Sequence, residues 1–494
     1  MILEHDLLSR FPADTPVAAS LVADAVAASG RVLVVLDDDP TGTQSVAELP
    51  VLTGWETDDF RWAFAARPGR TRPAAVYVLT NTRSLGPAAA AERISEAVAN
   101  SLTAAREAGL EIAFASRSDS TLRGHFPLEP DAIADAAHAA DGRRTDGVVI
   151  VPAFPEAGRV TLGGTHYARA AGGALTPVAE TEFARDATFG YASSRLADYV
   201  EEKSAGRYRA ADTIVLDLAL LRTGTVAESS SAVADALRDA TDRTPIVADA
   251  VTENDLRRLA LGLDEAERRG TKLVYRVGPP FVRARLGQEA RGPLSRDETL
   301  GEDAPRNGGL VVVGSHVGLT TRQLDELVRR HGTLSVVELD VERLLAGDAA
   351  HVADAARRAA EALVTGDVVV HTSRALVTAS DPAASLTIAR AVSGALVDVV
   401  RRTVATTRPR FVIAKGGITS SDVAARALQI RHAIVRGPML PGIVSLWEPI
   451  DGPARGIPYV VFAGNVGGDA SLAEVVGKLS VGKLTAFEEE LVND

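Results

Sequence analysis

At 494 residues the chain exceeds the size at which a single hydrophobic core stops growing, so two or three domains are expected. A net charge of −12 and an aromatic content of 4% argue against nucleic acid or anionic membrane as partner, and against a base-stacking platform. The absence of cysteine excludes disulfides, thiolate metal sites and cysteine nucleophiles.

The first residues lack a basic segment followed by an apolar one, and no apolar run approaches roughly 18 residues, so a cytoplasmic location is the expectation. Residues 14–29 predict a helix with Pro16 in its first turn. Val32 to Leu36 is an unbroken apolar run that reads as a buried strand, and it stops at Asp37-Asp38-Asp39. Pro40 and Gly42 turn the chain there, with Thr41 and Thr43 supplying hydroxyls. In an open α/β sheet this edge faces the ligand crevice. Three adjacent carboxylates call for a divalent metal, a cationic neighbour or a substrate hydroxyl that hands over a proton; the alternative is a solvated acidic turn.

The pattern repeats. Val76 to Leu79 ends in Thr80 to Ser84 and precedes a helix over about 87–107. Glu111 to Ala115 ends in Ser116 to His125, and Gly147 to Val151 ends in Pro152 to Arg159. Short strands follow near 213–217, 245–249 and 272–277. Strands alternating with helices, each strand ending in polar residues, predict an α/β fold built on a mostly parallel sheet. Arg83, Arg117, Arg123 and Arg159 all sit at these strand ends, where guanidinium forks suit a small hydroxylated anion; the alternative for each is a structural ion pair. His125 and His166 are acid/base candidates or satisfied structural residues.

Composition turns to Gly, Pro and charged residues over about 287–308, which divides the chain into 1–290, a linker at 291–308, and 309–494. Leu310 to Val313 opens a second α/β series, with strands near 334–339, 367–371, 410–414 and 459–463 and helices near 319–331, 350–364, 384–405 and 421–428. Three strand ends carry glycine: Gly314-Ser315, Lys415-Gly416-Gly417-Ile418-Thr419, and Gly464-Asn465. Glycines before a helix let backbone N–H groups approach phosphate oxygens, so these are nucleotide-binding candidates, although neither a Walker loop nor a G-x-G-x-x-G fingerprint is present. Lys415 either faces a phosphate or closes its strand.

Asp38-Asp39-Pro40-Thr41-Gly42, Asp119-Ser120-Thr121-Leu122-Arg123-Gly124, Pro152 to Pro155 with Gly158-Arg159, Gly164 to Tyr167, Thr181-Glu182-Phe183, Gly314-Ser315 and Gly416 to Thr419 resemble, in order, the signature series of the four-carbon acid sugar kinase family. The resemblance implies two α/β domains, the first for a four-carbon sugar acid and the second for ATP, with an active-site cleft between them. It implies Asp38 and Asp39 at the acceptor hydroxyl; Arg83, Asp119, Ser120 and Arg123 at the substrate; and Ser315, Gly416, Gly417, Ile418, Thr419 and Gly464 at the nucleotide. The strand-end reading adds Thr41, Gly42, Arg117 and Arg159 to the substrate candidates and Lys415 and Asn465 to the nucleotide candidates. Ile418 stands where the family commonly has an acid, and His125 where asparagine is common. On this reading Asp38 or Asp39 takes a proton from the acceptor hydroxyl, Mg²⁺ bridges the ATP phosphates with no protein ligand assigned, and the partners are a small sugar acid and ATP, with assembly into a homo-oligomer left open. Two rival readings stand beside it. One is a haloacid-dehalogenase-like phosphatase with Asp37 as nucleophile and Asp39 as acid/base; the other is a non-catalytic sugar-acid-binding protein.

Overall fold

The computed structural model describes residues 2–66, 72–170, 172–300, 305–315, 317–373 and 382–480. The chain divides into two units, Met1–Ala290 and Arg291–Asp494.

In the N-terminal unit eight strands form one all-parallel sheet, in the spatial order Ile214–Leu216, Thr244–Ala248, Gly147–Val151, Leu273–Val277, Ile112–Arg117, Val32–Asp37, Ala75–Leu79 and Leu49–Leu52. Strands covered on both faces read as continuous apolar runs, and Val32–Asp37 is buried along its whole length. One face packs Leu36, Val76 and Phe114 against Ile94, Val98 and Leu102 of the helix Pro87–Glu107, which starts with proline in its first turn. The strands that follow Val32–Asp37 in sequence lie on one side of it and the later ones on the other, so its carboxyl end is a topological switch point, where open α/β sheets bind ligands. A small antiparallel sheet of Ile2–Leu3, Ala174–Pro177, Thr165–Arg169 and Arg159–Leu162 accompanies the main one.

The expected helix over 14–29 is shorter, Ala19–Ser29. Residues 14–18 stay extended because the helix Glu253–Arg268 satisfies them: Val17 N–H donates to Asn254 (3.0 Å), Arg257 donates to the Val17 carbonyl (2.8 Å), and Arg258 donates to Thr15 Oγ1 (2.5 Å).

The C-terminal unit has a seven-stranded mixed sheet in the order His432–Leu440, Ile443–Pro449, Tyr459–Phe462, Val412–Lys415, Leu310–Val313, Val368–Thr372 and Ser335–Leu339. The pairings among the first three strands are antiparallel and the remaining pairings, starting with Tyr459–Phe462 on Val412–Lys415, are parallel. Leu310–Val313 is again a switch point, so Gly314-Ser315 emerges between the flanking strands. Within the stretch read as linker, Arg296–Thr299 forms a helical turn and Leu294 is buried in the core of this unit, while 301–304 lie outside the described residues.

Candidate functional site

The three aspartates leave the opening strand tied to its neighbours. Asp38 N–H donates to the Arg117 carbonyl (3.3 Å), Thr80 and Asn81 N–H donate to the Asp37 carbonyl (3.0 and 3.1 Å), and Arg83 N–H donates to the Asp38 carbonyl (3.2 Å). Three strand ends are thereby knitted into one surface, and it carries the chemistry.

Each carboxylate has a different environment. Asp37 is buried and paired with Arg117 Nε, whose Nη2 also donates to the Asp39 carbonyl. Burial pushes the Asp37 carboxyl up to about 7 against the pull of Arg117. Asp38 is gripped by the Arg83 fork, Nε to Oδ2 at 3.1 Å and Nη2 to Oδ1 at 2.6 Å; its side chain is 1% exposed and burial raises its pKa. Asp39 caps the following turn, Oδ1 accepting from Thr41 N (2.9 Å) and Oγ1 (2.6 Å), and keeps 19% exposure with Oδ2 3.6 Å from Arg83 Nη1. Burial works against its ionisation, but Arg83, Arg117 and Thr41 together hold its pKa below the ordinary value. Gly42 is fixed by packing: a methyl there would overlap Arg117 Nε and both Asp37 oxygens.

The loop Asp119 to Gly124 brings the second set of charges. Arg123 Nε donates to Asp119 Oδ2 (2.6 Å), and Thr121 Oγ1 donates to the same oxygen. Burial opposes ionisation of Asp119, yet Arg83 and Arg123 hold it down at about 2. Arg123 and Arg159 both lie over the Phe183 ring, 5.3 and 5.5 Å from its centre. Three consecutive carbonyls of the loop are pinned from beneath: Ser120 by His166 Nε2 (2.7 Å), Thr121 by Tyr191 (2.8 Å) and Leu122 by Tyr199 (3.0 Å). His166 is thus an anchor, completed by Thr161 Oγ1 on Nδ1 at 2.9 Å, and burial lowers its pKa to about 4. His125 rests on the Leu85 carbonyl at 3.0 Å.

Arg83, Arg117, Asp119 and Arg123 therefore join Asp38 and Asp39 at one sheet edge, and Arg159, from the small antiparallel sheet, meets Arg123 over the Phe183 ring. The sequence reading missed the layer below. Glu129 accepts from Thr82 (2.5 Å), Ser116 (2.7 Å) and Arg276 Nη1. A methyl on Gly124 would meet Arg276 Nη2 at 2.7 Å and Asp38 Oδ2 at 3.0 Å, so this layer reaches Asp38. Its one sequence signal is Arg276, a charge inside the apolar strand Leu273–Val277.

In the C-terminal unit the glycine-bearing strand ends converge. A Cβ on Gly416 would stand 3.1 Å from Thr419 Oγ1 and 3.2 Å from Ser315 Cβ; one on Gly464 would stand 2.6 Å from Ser315 Oγ. Gly416 has φ +124, which glycine alone adopts readily. Thr320 Oγ1 bridges Ser315 Oγ (3.3 Å) and the Gly464 carbonyl (2.8 Å). Gly417 and Ile418 begin the helix Gly417–Asp422, with Ile418 55% exposed, and Asn465 is exposed on its loop. A concave backbone surface that side chains would fill suits phosphate oxygens. Lys415, by contrast, points inward, its ammonium on the Ala463 carbonyl. Among the described residues no group of three or more His, Asp or Glu side chains is arranged as cation ligands, and no helix is long and apolar enough to cross a membrane.

One arginine-rich edge that bears carboxylates and one glycine cradle thus stand each on its own α/β unit. The sequence matches the family models described as sugar-binding N-terminal domain over residues 33–285 and nucleotide-binding C-terminal domain over 310–472. The chain belongs to the four-carbon acid sugar kinase family. It is 28% identical over 317 residues to a D-erythronate kinase of Heliobacterium modesticaldum, covering 63% of this chain and 64% of that one. It is also 28% identical over 319 residues to a D-threonate kinase of Salmonella typhimurium, covering 64% and 65%. The matches thus span somewhat less than two thirds of these relatives. Solved structures with the same fold include a Salmonella typhimurium LT2 protein provisionally described as a tRNA synthase (TM-score 0.64, 20% identity, 90% of this chain and 98% of that one). A Haemophilus influenzae protein of the DUF1537 family gives a TM-score of 0.60 at 19% identity, covering 90% and 99%.

Proposed function

We propose that the protein is an ATP-dependent kinase that phosphorylates a hydroxyl of a four-carbon sugar acid of the erythronate or threonate type. The observation that carries this reading is the edge where Asp39, an ionised carboxylate that reaches solvent, stands beside the guanidinium of Arg83, which Asp119 of the Asp119–Arg123 pair also attracts. Arginines hold the substrate carboxylate in two-point fashion, and Asp39 accepts the proton of the acceptor hydroxyl. Gly314, Ser315, Gly416 to Thr419 and Gly464 hold the nucleotide phosphates through backbone N–H groups and hydroxyls. ATP would supply the phosphoryl group, and a Mg²⁺ ion carried on its phosphates would offset the negative charge that builds there. Phosphoryl transfer depends chiefly on positioning and electrostatics, which is what these two surfaces offer.

Asp37 is unsuited to the nucleophile role that a phosphatase needs, because it is buried and its carboxylate is paired with Arg117 and covered by Gly42. The deciding assay incubates the purified protein with ATP, Mg²⁺ and erythronate, threonate and their keto forms, and follows ADP. Release of ADP that depends on one acid is expected. Phosphate released from p-nitrophenyl phosphate without ATP sinks the reading in favour of a phosphatase. Silence in both, with a thermal shift on adding a sugar acid, makes it a binding protein.

A further inference from the structure

Lys415 ends the strand Val412–Lys415 with a side chain that is fully buried. Its Nζ donates to the Ala463 carbonyl at 2.6 Å and stands 3.9 Å from the centre of the Phe462 ring. A lysine ammonium has three donors, and among the described residues no carboxylate forms an ion pair with this one. The acid of the following helix, Asp422, is taken by Ser393 and by Arg426 at 3.4 Å. An ammonium buried without a counter-charge costs stability, and burial pulls its pKa down to about 7. Such a residue needs a reason other than packing.

The reason lies in the peptide it holds. In a trans peptide the C=O and N–H point in opposite directions, so drawing the Ala463 carbonyl inward turns the Gly464 N–H outward. The Gly464 carbonyl is fixed by Thr320 at 2.8 Å, and its N–H has no protein partner among the described residues. We propose that Lys415 is a positioning residue: it touches no phosphate, but fixes the Ala463–Gly464 peptide so that the Gly464 N–H is held ready as a donor to a nucleotide phosphate. This rests on the nucleotide-binding reading of the glycine cradle.

The test uses the full chain and ADP. Titration calorimetry on the wild type comes first: no ADP binding removes the cradle reading itself. With binding established, hydrogen exchange at Gly464 should slow on saturation with ADP, and unchanged exchange there overturns the proposal. Lys415→Met, close in length and uncharged, should weaken ADP binding about tenfold, leave sugar-acid affinity unchanged and leave Tm unchanged or raised, because an unpaired buried charge has gone. A folded Met variant that binds ADP as the wild type does overturns it. If that variant does not fold, the exchange at Gly464 in the wild type decides.

Discussion

Asp38 and Asp39 are neighbours with the same side chain, and their surroundings decide which of them can take a proton. Both oxygens of Asp38 are spent on Arg83 and its side chain is 1% exposed; Asp39 is 19% exposed with Oδ2 3.6 Å from the nearest cation. Asp39→Asn is therefore expected to lower kcat by about 10²–10⁴ while both ligands still bind, measured by steady-state kinetics and calorimetry. Unchanged turnover removes Asp39 from the mechanism. Gly42 is a second single-residue test, since a methyl there must displace the buried Arg117–Asp37 pair. Gly42→Ala should cost about 1–3 kcal/mol in urea unfolding, the usual penalty for overpacking. The acids were legible in the sequence because they are adjacent and end an apolar run. Their partners were visible as strand-end arginines, but the pairing was not: Arg83 lies 45 residues from Asp38 and Arg117 lies 80 from Asp37, separations that only the sheet order brings together.

At the scale of elements, the Asp119 to Gly124 loop is held by side chains from outside it, and this makes its geometry testable without touching the charged groups. Leu122 is kept at φ +66, a left-handed conformation unfavourable for leucine, while Tyr199 takes its carbonyl. Removing both tyrosine hydroxyls, as Tyr191→Phe with Tyr199→Phe, forfeits two bonds worth about 0.5–1.5 kcal/mol each. Sugar-acid affinity should fall several-fold with ADP affinity unchanged. The His166 anchor adds a pH dependence. Its folded pKa, about 4, lies below the ordinary 6.5, so the unfolded chain takes up a proton first on acidification. Stability from this group is present above pH 6.5 and is lost as pH falls toward 4, on the order of 3 kcal/mol. His166→Gln should flatten the pH profile of urea unfolding in that window. Buried Asp249, raised to about 6 while it binds the Gly163 and Gly164 N–H groups, contributes the opposite slope between 3.8 and 6, so the difference between variant and wild type is the quantity to read. Parallel strands were readable as apolar runs because both faces are covered. The antiparallel pieces were not. The strands at 159–177 are short and broken by Gly163-Gly164, and His432–Leu440 carries Gly437 and Pro438 at a register shift that breaks its pattern.

At the scale of the whole chain, the two units repeat one design: a first strand at a topological switch point, with neighbouring strands supplying the rest of the site from their carboxyl ends. What differs is the chemistry at that edge. Charged side chains converge in the N-terminal unit, whereas in the C-terminal unit side chains are absent where Gly314, Gly416 and Gly464 approach one another's neighbours. Side-chain charge selects a small anion by two-point contacts, while bare backbone suits a polyphosphate that needs several N–H donors and tolerates no intervening Cβ. This contrast predicts where each ligand protects the chain. A ligand at about 100 times its Kd stabilises the state that binds it by ~2.7 kcal/mol, which slows exchange through local opening about a hundredfold. Hydrogen exchange on the full chain should show erythronate or threonate protecting the segments around 37–44 and 117–125, and ADP protecting those around 314–320, 415–420 and 464–468. ADP protection that maps instead to the arginine-rich edge would reverse the assignment of the two surfaces, since the same cations that suit a sugar carboxylate also suit a phosphate, and the glycine cradle would then need another ligand.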